Sequence, residues 1–281
     1  MKSIFTFLLA IVTVTTFAQK DFQGKATYMS KTTMDMSRFG DQMSEQQKKQ
    51  MMARFKNYLE KTFTLSFNKI ESSFKENVKL DAPGTAGRRW GSSNGQGSIY
   101  KNLKNKEMIE DVEQFSKRFL VMEPMDQPKW EMGTETKKIG QYTCYKATMV
   151  KVDNKIDWGS IFSRRGNNKK KDSTKTLPTK TVPKKEAVKM IAVTAWYTPQ
   201  IPVSSGPETY FGLPGLILEI NEGRTTMLCT EIVLNPSEII EIKKPTKGKE
   251  VNREDYNKIV KEKTAEIKEQ FKSRRSGGRR N

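Results

Sequence analysis

Residues 195–221 read AWYTPQIPVSSGPETYFGLPGLILEIN, and aromatic residues, prolines, glycines and an unbroken apolar run crowd together there more densely than elsewhere in the chain. The pattern predicts a strand ending near Tyr197, a punctuated loop, and a second strand from Leu216 to Ile220. Pro214 has no backbone donor and Gly215 tolerates positive φ, so both suit the corner before the second strand. Alternate residues of that strand are predicted to share one face: Leu216, Leu218 and Ile220.

The same stretch resembles the signature of the GLPGLI family of exported proteins, which are found mainly in Bacteroidetes. The motif itself consists of Gly212, Leu213, Pro214, Gly215, Leu216 and Ile217, and it follows AWYTPQIP and SGP in the family's order. Trp130, the string KKIG at 137–140 and the string YTCYKA at 142–147 also fit, so the resemblance covers roughly residues 20–235. The family has no established biochemical activity. The resemblance therefore implies an exported protein and no particular chemistry.

The N-terminus has the composition of a secretory signal peptide. Lys2 precedes an apolar run from Ile4 to Phe17, and small residues follow at the positions that define cleavage. We therefore predict a signal peptide over residues 1–18 and a mature chain that begins near Gln19. No cysteine lies at the junction to carry a lipid, and no other stretch approaches the roughly 20 apolar residues of a membrane span. The expected product is periplasmic or secreted, soluble or peripherally attached to the envelope.

Alternating apolar and polar residues recur through 19–245, which predicts a mainly β (α+β) domain with one large, curved antiparallel sheet of about eight to ten strands. A helical pattern runs from Met43 to Lys61 with a cap at Ser44, and we expect this amphipathic helix on the concave or open side of the sheet. Residues 246–281 are predicted to form a C-terminal helix, capped by Asn252, and a cationic tail. This arrangement resembles the half-barrel of the LolA-like envelope carriers; a closed barrel and a β-sandwich are the alternatives.

The basic charge is concentrated in two segments. The chain has 51 Lys and Arg against 32 Asp and Glu, a net charge of +19. Residues 164–189 hold ten basic residues against two acidic ones, and residues 268–281 hold six against one. The first segment also has too little apolar content to offset the entropy of ordering it, which predicts a disordered basic insertion at about 159–188 between two strands of the sheet.

The composition excludes several kinds of site. With no histidine, the chain cannot form a Ser-His-Asp or Cys-His arrangement or a His-containing metal site, and two cysteines cannot form a Cys₄ site. We therefore predict no enzymatic activity, no cofactor and no metal. Glu208 and Glu219 could form a catalytic carboxylate pair, but solvated glutamates on a strand are far commoner. Six methionines could bind Cu(I), although flexible packing is the simpler interpretation: Met29, Met34, Met36, Met43, Met51 and Met52.

Two functional hypotheses remain. In the first, the protein binds or carries a lipid or other amphipathic ligand in an apolar groove of the sheet, lined by Trp196, Tyr197, Tyr210, Phe211 and Leu213. In the second, the basic loop and tail dock to an anionic envelope surface, an outer-membrane protein or another acidic partner. Export makes a nucleic-acid partner unexpected, although basic segments bind polyanions at low salt.

The two cysteines lead to one further prediction. Cys144 and Cys229 are the only cysteines of an exported chain, and each lies in an alternating strand pattern. Export favours oxidation, so we predict a disulfide between them.

Overall fold

A computed structural model describes residues 22–33, 44–77, 95–152 and 190–277. Three predicted features lie outside these ranges. They are the signal peptide at residues 1–18, the basic insertion at about 159–188, and the methionines Met34, Met36 and Met43. The described strands are β1 (Gln23–Thr32), β2 (Glu60–Asn68), β3 (Glu71–Glu76), β4 (Gly95–Asn102), β5 (Glu107–Gln114), β6 (Lys117–Pro124), β7 (Glu131–Ile139), β8 (Tyr142–Val152), β9 (Met190–Thr198), β10 (Leu216–Glu222), β11 (Thr225–Leu234) and β12 (Lys249–Asn252). The described helices are α1 (Glu45–Leu59) and α2 (Arg253–Gly277).

All twelve strands form one open sheet in the order β12-β6-β5-β4-β3-β2-β1-β11-β10-β9-β8-β7. Neighbouring strands are antiparallel except for β12, which runs parallel to β6. The prediction of a mainly β fold with one large antiparallel sheet is confirmed, with more strands than the eight to ten expected. β8 and β9 pair as far as Val152 and Met190. The basic segment thus joins two adjacent strands.

One short connection shows that this sheet is strongly curved. β6 and β7 lie ten strand positions apart. At about 4.8 Å per strand, that separation would be roughly 48 Å in a flat sheet. The chain between them is residues 125–130, which we call the strap, and so short a segment spans at most about 25 Å. The sheet must therefore curl until its two ends approach each other, which gives it a concave inner face.

The inner face carries the main apolar core. Cross-strand pairing places Tyr28 beside Phe63, and Leu65 and Ile99 on either side of Phe74. The same face continues through Ala195, Ile220 and Met227 on the other half of the sheet. All of these side chains are buried in one cluster. The element that covers them is residues 199–215, which we call the cover segment; its Ile201, Val203 and Leu213 join that cluster.

Both predicted helices are confirmed. In α1, Ser44 Oγ accepts a hydrogen bond from the Gln47 amide at 3.2 Å, and Gln47 Oε1 accepts one from the Ser44 amide at 3.0 Å. This reciprocal capping box fixes where the helix begins. The helix contacts β1 and β2, which are central strands of the sheet. Among its side chains whose burial is described, Leu59 is buried.

Helix α2 covers the inner face where the cover segment does not. Its Tyr256 and Val260 pack against Val112, Phe119 and Val121 of β5 and β6. Asn252 caps it as predicted, because its Oδ1 accepts a hydrogen bond from the Asp255 amide at 2.7 Å. At its first turn Arg253 forms ion pairs with carboxylates on both strands, Glu110 and Glu123.

Two local predictions are wrong. The apolar residues at 239–242 predict a last edge strand, but they are not a strand; Ile242 instead packs beside Tyr100, Ile109 and Leu120 on the outer face. The last described strand is β12, which begins at Lys249. The apolar pattern also predicts a strand at Phe115, which instead lies with Ser116 in a two-residue turn at φ of 53° and 56°. That conformation matches the twist of a tight hairpin, which here outweighs the β preference of phenylalanine.

The predicted signature strand is confirmed as β10, but its alternation is interrupted. The pairing register shifts between Ile217 and Glu219. Leu216, Ile217 and Leu218 are all buried as a result. Strict alternation of facing, predicted from the apolar spacing, therefore fails at this bulge.

The predicted disulfide is absent from the structure, where Cys144 and Cys229 are buried free thiols. Cys144 lies on β8 and Cys229 on β11, with β9 and β10 between these strands. Two strands therefore separate the cysteines, whereas the Cα atoms joined by a disulfide lie within about 7 Å, little more than one strand spacing. Strand order, which the cysteine count does not reveal, explains the difference.

We expect Gly215→Ala to lower the free energy of unfolding by about 3 kcal/mol, because overpacking against the backbone cannot relax through a side chain. A Cβ at Gly215 would lie 2.2 Å from the Thr198 carbonyl oxygen. Gly140→Ala is the matched control, since its φ is +58° but no atom lies within 4 Å of the added Cβ. The control should lose only about 1 kcal/mol. Urea unfolding of both variants measures the difference, and equal losses would contradict this account.

We also expect neither thiol to react with iodoacetamide in the native protein at pH 8. Burial raises the pKa of Cys144 to about 11 and that of Cys229 to about 12, so the reactive thiolate is scarce as well as inaccessible. Intact-mass measurement should show no label before unfolding and two labels after unfolding without reductant. A protein that takes up no label even when unfolded would contain the disulfide after all.

Candidate functional site

The cover segment is fixed to the sheet by a buried lysine. Lys101 extends from β4 into the inner face and is only 1% exposed. Its Nζ donates hydrogen bonds to the carbonyl oxygens of Gly206, Glu208 and Tyr210 at 2.6, 2.9 and 2.9 Å. All three ammonium hydrogens are therefore used, and the tight turn over residues 206–210 is fixed at its centre.

The surroundings of Lys101 oppose and support its charge at the same time. Burial lowers the pKa of Lys101 to about 7 from an ordinary 10.5, and the charge of Glu208 acts in the opposite direction. The turn can present three carbonyl groups to one ammonium because Glu208 adopts a positive φ of 47°. These carbonyls replace the water that the lysine loses, which is the condition for burying an amine without an ion pair.

Further polar contacts hold the cover segment along its length. Ser205 and Ser72 of β3 share a hydrogen bond between their hydroxyl oxygens at 2.9 Å. Tyr28 donates from its hydroxyl to the carbonyl oxygen of Ile217 at 2.7 Å, just beyond the segment's end. On the opposite side, Trp130 of the strap donates from Nε1 to the Phe211 carbonyl at 2.8 Å. The segment is therefore anchored to the sheet and to the strap.

A second polar cluster lies at the strand ends beside the cover segment. Tyr210 donates from its hydroxyl to Glu222 Oε2 at 2.9 Å and accepts from Lys151 Nζ at 2.8 Å. Lys151 and Glu222 also form an ion pair at 3.2 Å. Burial, and then the charge of Glu222, raise the pKa of Tyr210 well above its ordinary value. A tyrosine so resistant to ionisation is a poor base or nucleophile, so this geometry positions the segment rather than activating a reactive group.

The structure brings four of the five predicted ligand contacts together but leaves them covered. Tyr197, Tyr210, Phe211 and Leu213 are buried in the main core cluster. Trp196 lies on the outer face, where Lys137 Nζ is 4.3 Å from its ring centroid. The signature residues 212–217 form the end of the cover segment and the start of β10. Two open depressions in the described structure lie on α1 and α2, away from all of these residues. A role in ligand binding stays a prediction.

The other candidate sites are placed as follows. Glu219 lies on the outer face, paired with Lys137 at 2.6 Å, while Glu208 belongs to the cover segment on the inner face. The two carboxylates are thus on opposite sides of the sheet. Met29 and Met52 are exposed, and the Cu(I) hypothesis stays untested because three of its methionines lie outside the described ranges. Over the described residues, no group of three or more Cys, Asp and Glu side chains is arranged to hold a metal ion.

Sequence reasoning missed Lys101, although a signal was present. Ile99 and Lys101 alternate along one strand, so an inward Ile99 places Lys101 inward as well. A charged residue at such a position is usually interpreted as the end of a strand, and β4 does end at Asn102.

Neither of the described helices, α1 and α2, has the length and apolar composition of a membrane span.

We expect Lys101→Met to lower the free energy of unfolding by about 3 kcal/mol, because three buried carbonyl groups lose their donor. The effect should depend on pH. Between about pH 7 and 10.5 the unfolded chain, whose lysine has its ordinary pKa, binds more protons than the folded chain. Stability of the wild type should therefore rise with pH across this window relative to the variant. Urea unfolding at pH 7 and pH 9.5 measures it, and a constant difference would contradict the assigned titration.

Part of the chain is similar to a protein family of unknown function. A family model described as "Protein of unknown function (Porph_ging)" matches residues 130–219, which include the strap's Trp130, the cover segment and the start of β10. No curated protein matches. Two solved structures, "Structure of PNGF-II in P21 space group" and "Structure of PNGF-II in C2 space group", are similar over 86% and 85% of this chain. Each is 13% identical with a TM-score of 0.46, and this chain spans only about a third of their length, 33% and 32%.

Proposed function

We propose that this protein is a non-enzymatic, exported envelope protein of the GLPGLI type that binds an apolar or amphipathic ligand on its inner face. In this proposal the cover segment occupies the ligand's place in the unliganded protein. The observation that carries it is the nature of the cover: an irregular segment, neither helix nor second sheet, puts Ile201, Val203 and Leu213 onto a large apolar face. Apolar side chains held on such a face occupy the volume that an acyl chain would take.

The attachment of the cover segment suits displacement by a ligand. Its polar contacts are made largely by its own backbone carbonyls to a few side chains, Lys101 and Trp130 among them. An amphipathic ligand with acceptor oxygens could satisfy the same donors, so exchange would leave no buried donor without a partner. Release of the segment would then uncover Tyr197 on the inner face, while Tyr210 and Phe211, which belong to the segment, would move with it. The signal peptide sequence at residues 1–18 supports export.

A second candidate function is docking through the basic segments. It is favoured by the burial of four of the five predicted ligand contacts, which leaves the inner face closed as described. The concentration of basic residues at 164–189 and 268–281 favours acidic surfaces or partners. Nothing in the matched family or in the described residues indicates catalysis.

A crosslink across the cover segment tests the first proposal. The hydroxyl oxygens of Ser72 and Ser205 are 2.9 Å apart, so the variant S72C/S205C should form a disulfide that locks the segment onto β3. A fluorescent long-chain fatty acid serves as the probe. We expect the oxidised variant to bind the probe at least tenfold more weakly than the same protein after reduction. Peptide mapping distinguishes the new disulfide from the buried native thiols.

The double variant S72A/S205A is the matched control, because it loses the hydroxyl contact but cannot crosslink. It should bind the probe at least as tightly as the wild type. Equal binding by the oxidised and reduced forms of S72C/S205C would show that the ligand does not need the inner face. Absence of probe binding in the wild type and in both reduced variants would favour the docking function instead.

A further inference from the structure

We propose that an apolar patch on the outer face, at the end of β8 and β9, docks the protein onto an anionic lipid bilayer. The patch consists of Val150, Val152, Met190 and Ala192, which form two direct cross-strand pairs. Val150, Val152 and Met190 are 64%, 42% and 56% exposed. Large apolar side chains exposed side by side usually mark a contact surface, whereas single ones need no explanation.

The patch breaks the polar pattern of the face around it. Further along the same two strands, the outward pairs are Thr148 with Thr194 and Lys146 with Trp196. An antiparallel sheet with one solvated face ordinarily keeps that face polar, as these strands do until their last residues. On these two strands the exposed apolar pairs are therefore confined to the end that holds Val152 and Met190.

Charge points to an anionic partner. Residues 153–189, which connect Val152 to Met190 along the chain, contain eleven Lys and Arg against four Asp and Glu, a net charge of +7. Both ends of this segment are covalently joined to residues of the patch, so a net positive charge adjoins the patch in the sequence. Lys31 at the end of β1 and the exposed Arg224 in the turn between β10 and β11 lie at the same end of the sheet.

A bilayer fits these features better than an acidic protein. The patch offers apolar side chains without the fixed polar groups that specify a protein partner. Residues 153–189 also include Trp158 and Phe162, residue types that favour the interface between lipid and water. One weak apolar contact and one basic segment suffice together for reversible attachment to anionic lipid, where either alone is marginal. This proposal does not rest on ligand binding at the inner face.

Sedimentation of the full mature chain with vesicles tests the proposal. The vesicles contain phosphatidylcholine with about 30% phosphatidylglycerol, or phosphatidylcholine alone, to separate charge from apolar contact. The variant V150T/V152T/M190T removes apolar contact and places β-branched threonine, which favours strands, at all three positions, so its melting temperature should match the wild type. We expect its partition onto anionic vesicles to fall about tenfold. The wild type should bind neutral vesicles far more weakly than anionic ones.

The variant M29T/L228T is the matched control, since these exposed residues are cross-strand neighbours elsewhere on the outer face. It should bind anionic vesicles within about twofold of the wild type. Wild-type binding by V150T/V152T/M190T, or an equal loss in the control, would overturn the proposal. So would a parallel loss of binding to polyglutamate, which would assign the patch to an acidic protein. Oxidised S72C/S205C should retain vesicle binding, which keeps this result separate from the ligand test.

Discussion

The constraint on which the structure depends is the shortness of the strap. Six residues, 125–130, connect strands that lie ten positions apart in one sheet. No flat or gently twisted sheet allows that, so the strands must curl around a common interior. A curled sheet of this width has a concave apolar face that cannot remain open to water. The cover segment and α2 divide the task of burying it between them.

The cover segment is irregular, and an irregular segment in a core must have its backbone polar groups satisfied. Lys101 meets much of this requirement by donating to three carbonyl groups of one turn. The lysine itself is costly to bury, so the two elements depend on each other: the turn needs a donor, and the ammonium needs acceptors. Trp130 donates to the Phe211 carbonyl of the segment, and Tyr28 donates to the Ile217 carbonyl just beyond it. Ser205 of the segment itself donates to the Ser72 hydroxyl. The signature motif thus has a structural role, whether or not a ligand also uses it.

The two proposals concern opposite faces of the sheet. The inner face is apolar and closed by a segment held through exchangeable polar contacts, which suits a ligand that competes with that segment. The outer face exposes an apolar patch at the β8–β9 end, next in the chain to the basic segment, and we propose that this patch attaches to a charged surface. These proposals are physically independent because they use opposite faces of the sheet.

The sequence by itself determined the local elements, since apolar spacing, the Ser44 and Asn252 caps and the alternation around residues 62–76 depend on neighbours along the chain. It also placed the basic segment between paired strands and excluded histidine chemistry. Only the tertiary structure decided which strands are adjacent, and hence that two strands separate Cys144 from Cys229. It also decided that 199–215 is a core element rather than an open loop, and that Lys101 faces inward. These properties depend on contacts between residues about a hundred positions apart, such as Lys101 and Gly206, and local periodicity carries no record of such pairings.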